Sequence, residues 1–198
     1  MNPEKYGPTF SEVLRSDLKF ALDAGTANSD LFDKLQSLSV ESAFAHSTVY
    51  DEKMASLCLS GIWLFNNYLE ESHSISQDVD SPTGSYWHGI MHRREGDFPN
   101  SKYWFRQVGE HPAFEMIDER MGANEEFYKS PALADLSSSG YDPFELVDHC
   151  RTVIRSETES TSPGGEENPH NDLRHFCEML SNLEWWALFD YCYEQAIT

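Results

Sequence analysis

Between Asp51 and Gln77 the chain has no proline, and Leu57, Leu59, Ile62, Trp63, Phe65, Tyr68 and Leu69 fill the window almost continuously. A helix that is apolar on nearly every side must be surrounded by other helices, because a surface helix keeps one polar face. The window therefore predicts a long central helix inside a bundle. Its C-terminal half turns polar along one stripe, since Asn66, Glu70, His73 and Gln77 recur at i, i+4, i+7 and i+11.

The flanking segments read as shorter helices. Thr9 and Glu12 form a T-x-x-E capping box ahead of Val13, Leu14, Leu18, Ala21 and Leu22, and Gly25 offers the stop. Ser29 or Asp30 can cap a segment carrying Leu31, Leu35 and Leu38, and Ser39 can start another through Phe44. Asp80 to Gly84 reads as a break after the central helix. Asp142-Pro143-Phe144-Glu145 is a helix start leading into Leu146, Val147, Cys150, Val153 and Ile154. Asn171 can cap a last helix bearing Phe176, Leu180 and Leu183, with Trp185 and Trp186 as packing residues. Between these two, Ser156 to Asn171 (SETESTSPGGEENPHN) is acidic and rich in Pro and Gly, which predicts a mobile surface loop. No segment alternates at period two. The expectation is an all-α, single-domain helical bundle over residues 1–198, with the acidic loop 156–171 inside it.

Charge narrows the partners. The 198 residues carry 34 acidic and 14 basic side chains, a formal net charge of −20, whereas phosphate backbones and anionic membrane surfaces recruit positive fields. Nucleic acid and membrane are not expected partners, and no run approaches the roughly 20 apolar residues of a membrane span. The N-terminus lacks an apolar signal core. Cys58, Cys150, Cys177 and Cys192 lie too far apart for a CxxC pair, which argues for reduced, buried thiols and a cytoplasmic setting.

Aromatic bulk and ionisable groups concentrate in Ser85 to Arg106, SYWHGIMHRREGDFPNSKYWFR. It reads as helix, tight turn, helix: Gly96, Asp97, Pro99 and Asn100 form the turn, and Asp97 or Asn100 caps a second arm from Lys102 to Val108. His88, His92 and Glu95 recur at i, i+4 and i+7 and share one face. Two imidazoles one turn apart can reach one ion, so His73, His88 and His92 are candidate ligands of a divalent metal, with Glu70 and Glu95 nearby. No Glu follows the first His, so the H-E-x-x-H reading of a zinc protease fails. His88, His92 and Glu95 are also candidate acid–base groups near neutral pH. Arg93, Arg94 and Arg106 offer guanidinium forks to a carboxylate or phosphate, and with Glu70 and His73 they form the candidate ligand-binding set. The competing reading is structural: histidines bonded to carboxylates between packed helices, and Arg93 and Arg94 paired with Glu95, Asp97 or the acidic central helix. The short connection Asp78 to Ser85 favours an antiparallel pair that brings His73 to His88 and His92.

The same stretch resembles a signature of a family of uncharacterised proteins, W-H-x-I-M-H-R-R-E-x-D-x-x-N-x-K-Y-W-F-R-x-V-G-x-H-P. Glu71 to Gln77, ESHSISQ, looks like that family's upstream companion segment, so the resemblance covers roughly Asp51 to Phe114. It implies a shared structural unit and carries no assigned reaction. A fainter likeness is to Sel1 and tetratricopeptide helices, through NSKYWFRQVG, in one copy where repeat arrays stack at least about three. The leading expectation is thus a protein that binds a small molecule or metal in a His/Glu/Arg pocket, with chemistry there as an extension. The alternative is a helical protein-interaction module whose polar cluster only locks helices.

Overall fold

A computed structural model describes residues 3–14, 20–159 and 171–198. Among them the regular elements are all helical: α1 (Pro8–Val13), α2 (Phe32–Gln36), α3 (Val40–Ala43), α4 (Glu52–Phe65), α5 (Leu69–Ser76), α6 (Pro82–Glu95), α7 (Phe98–Val108), α8 (Pro112–Gly122), α9 (Pro131–Leu136), α10 (Pro143–Glu159) and α11 (Asn171–Ile197), with three single turns of 3₁₀ helix. The described residues contain no strand, and the all-α expectation holds.

The bundle is built on α4, whose residues from Leu57 to Phe65 are all buried. It packs against α5, α6 and α11. Gly61 is a point of close approach, because a Cβ there would stand 2.9 Å from the Trp87 ring and 3.2 Å from Phe189. Trp185 donates its indole N–H to the Gly61 carbonyl at 3.0 Å, and Trp87 donates to Cys192 Sγ at 3.3 Å. Trp185 and Trp186 are core residues, in line with the packing role expected of them, and all four cysteines are free and buried.

The long central helix is corrected to two helices. The chain breaks at Asn66–Tyr68, where Asn67 takes a φ of 64°, a left-handed conformation that asparagine tolerates better than most residues. Leu69 then restarts the helix, and Ser60 Oγ donates across the bend to the Ser72 carbonyl at 2.9 Å. Further boundaries differ from expectation. Ser81 does not end a break; its hydroxyl accepts from Gly84 N at 3.0 Å and caps α6, with Pro82 in the first turn. At the other end α1 stops at Val13 with Gly7 as its cap, Thr9 is not the capping residue, and Phe20 to Ala24 are irregular. Leu18 lies outside the described residues. So does most of the acidic loop, but Ser156 to Glu159 continue α10 instead of belonging to a loop.

The predicted helix–turn–helix hairpin is α6 and α7. Gly96, at φ 87°, ends α6 in the left-handed cap position. Asp97 caps α7 by accepting from Asn100 N at 3.2 Å, so Pro99 and Asn100 lie inside α7's first turn and not in the turn between arms. Ser101 Oγ donates to the Gly89 carbonyl at 2.7 Å and Phe105 lies over the same glycine, which holds the two arms in close contact.

Candidate metal centre

Helix α6 carries polar side chains to two destinations. On one side, His88 and His92 meet His73 of α5. The His73 ring centre lies 4.5 Å from that of His88 and 5.5 Å from that of His92, and the latter two are 4.8 Å apart. One nitrogen from each ring falls within 4.8 Å of the others. The short α5–α6 connection produces this meeting, as the spacing predicted. Donors around a tetrahedral zinc stand roughly 3.4 Å apart, so side-chain rotation of about an ångström would close the set on an ion.

Each ring is held differently. His88 is buried, stacked on Trp104 with centres 3.9 Å apart, and its Nδ1 is sealed from solvent without a hydrogen-bond partner. Burial, and then the neighbouring His92 and His73, push its pKa down to about 3, so it is neutral at pH 7, the form that ligates metals. His92 is buried, and its Nδ1 lies 2.9 Å from Glu95 Oε2. In the metal-ligating, neutral form of the ring, a carboxylate there favours the proton on Nδ1 and leaves the Nε2 lone pair free. The Asn100 amide nitrogen is 3.1 Å from Nε2 and 3.4 Å from Nδ1 of the same ring. A donor along the Nε2 lone pair would be far more distant from Nδ1, so the amide rests beside the ring and does not occupy that lone pair. His73 is the half-buried member of the trio.

On its other side, α6 sends Arg93 and Arg94 into full engagement. Arg93 pairs with Glu184 of α11 through both terminal nitrogens, one at 3.2 Å, with Ser181 also in reach. Glu184 accepts in turn from Tyr141 Oη, which lies 2.6 Å from Tyr86 Oη. Burial pulls Arg93 toward neutrality, but the Glu184 charge overcomes it and holds the guanidinium charged. Arg94 donates to the carbonyls of Leu64 (2.6 Å) and Asp23 (3.0 Å) and to Asn67 Oδ1. Burial lowers its pKa to about 9. The structural reading of these arginines has the right sense with different partners: Glu184 and backbone carbonyls, not Glu95 or Asp97. Both line a hollow of about 490 Å³ with Leu22 to Thr26 and Ile154, but their donors are spent on the protein.

The remaining candidates stand apart. Glu70 is exposed in the first turn of α5, and Arg106 is exposed on α7. Neither belongs to the trio of converging nitrogens. A hollow of about 750 Å³ is lined by Ser39, Glu41, Phe44, Val49 and Glu52, and involves none of the histidines. Three contributors escaped the sequence reading. Glu184 and Asp190 are isolated acids in an apolar run, and that isolation is a usable signal for buried pairing; Asp190 takes Tyr6, Lys5 and Arg120. Trp104 carries no such signal, because nothing local tells which ring an aromatic will cover.

No family model, curated protein or solved structure matches the chain. Among the described residues no helix is long and apolar enough to cross a membrane.

Proposed function

We propose that the chain binds a divalent transition-metal ion through His73, His88 and His92. The supporting observation is the convergence of three imidazole nitrogens within 4.8 Å, one of the rings holding a sealed nitrogen with no partner. Buried polar groups in folded proteins are almost always satisfied, and a site of imidazole nitrogen donors suits zinc, copper, nickel or iron better than calcium or magnesium. Glu95 on His92 supplies the outer carboxylate that metal-bound histidines commonly have.

Calorimetric titration of metal-free protein with zinc and nickel tests the reading. One ion per chain should bind, and His88→Phe, which keeps a ring against Trp104, should abolish it. If neither metal binds the wild-type chain, the cluster is a helix lock and the interaction-module reading replaces this one.

A further inference from the structure

We propose that an ion held by His73, His88 and His92 keeps one exchangeable coordination position, which takes water or a small monodentate anion beside the Asn100 amide. This rests on the metal-binding reading above. Three neutral imidazoles leave the ion's double positive charge uncancelled, and a tetrahedral ion needs a fourth donor. Glu95, the carboxylate bonded to His92, does not supply it. Glu95 Oε2 is bound to His92 Nδ1 at 2.9 Å, on the side of the imidazole away from Nε2. The trio of converging nitrogens likewise includes no carboxylate among the described residues.

Two observations say where the position opens and what it prefers. His88 is sealed beneath Trp104 and His92 is buried, while His73 is half-buried, so the cluster reaches solvent on the α5 side. The Asn100 amide nitrogen stands 3.1 Å from His92 Nε2, the atom left free to ligate. Since it does not occupy the lone pair, its N–H groups can donate to a ligand on the ion. A positive ion next to an N–H donor favours an anionic or oxygen ligand, the arrangement of an open metal site and not a closed structural one.

The probe is azide, titrated into the full chain loaded with cobalt(II) and followed by the cobalt visible absorption. Saturable spectral change in the wild type, weakened about tenfold in Asn100→Ala by loss of one hydrogen bond, is the expected result. Cobalt affinity should be little changed in that variant, and circular dichroism reports whether it folds. Cobalt binding with no azide response would show a closed site and overturn the proposal while leaving the metal reading intact. An azide response unaltered by Asn100→Ala would remove Asn100 from it. Failure of cobalt and zinc to bind the wild type would overturn both.

Discussion

Helix α6 buries two pairs of polar side chains within two turns, and they are treated in opposite ways. Arg93 and Arg94 end in complementary partners: Glu184 with its tyrosine chain, and the carbonyls around the Asn67 break. His88 and His92 end beside a third histidine, with one nitrogen unpartnered. A buried permanent charge has no alternative to a partner, because leaving it bare costs several kcal/mol. A buried imidazole can shed its charge and persist as a neutral ring. Complete pairing therefore fits the arginines to a scaffold role, and it is the convergence of three imidazoles together with the unpartnered His88 nitrogen that supports the metal-binding proposal for the histidines.

The largest effect that would test this contrast is at Glu184. Glu184→Ala strands the Arg93 charge in the core and should lower stability by about 3–5 kcal/mol in chemical denaturation. A loss under 1 kcal/mol would show that the arginine side is not the rigid scaffold described. Arg94→Met should cost about 1–3 kcal/mol, since the Leu64 carbonyl and the Asn67 side chain lose a buried donor.

Acid should act next, through a histidine outside the trio. His111 caps α8, with Nδ1 accepting from Ala113 N at 3.2 Å and Nε2 3.1 Å from Thr83 Oγ1. Tyr86, Phe114 and Tyr191 pack on the ring and add no charge, and burial lowers its pKa to about 4. The unfolded chain binds that proton more readily, so this contribution is complete above about pH 6.5 and declines as pH falls toward 4, by about 1.4 kcal/mol per unit. Melting temperatures across that window should decline, and His111→Asn, which keeps a capping acceptor, should flatten the slope. The smallest effect is expected at the cluster itself. His88→Phe should move metal-free stability by less than about 1 kcal/mol, because no hydrogen bond is lost. The same variant should erase the zinc-induced rise in melting temperature expected of the wild type.

Where the deciding forces are local, the chain announced them. The i, i+4 histidines, the short connection after α5, the Gly96 stop and the Asp97 cap all act within a few residues; the first two place the trio and the last two set the α6–α7 hairpin. The break at Asn67 was hidden because apolar residues continue on both sides of it, and hydropathy does not register a single left-handed residue. Arg93 and Glu184 lie 91 positions apart, so their pairing is a product of tertiary packing with no trace in spacing. The cap at Ser81 was legible in principle, as Ser-Pro ahead of an aromatic run, but the same residues also spell a turn.

Arg94 has a consequence for the order of assembly. Its guanidinium gathers Asp23, Leu64 and Asn67, three points that become neighbours only after α4, α6 and the segment following the first helix have all arrived. Until the last of them docks, the charge stays hydrated and the end of α4 stays open to solvent. That corner should accordingly close late during refolding, with the amides around Asn66 and Asn67 among the last in the bundle to gain protection from exchange.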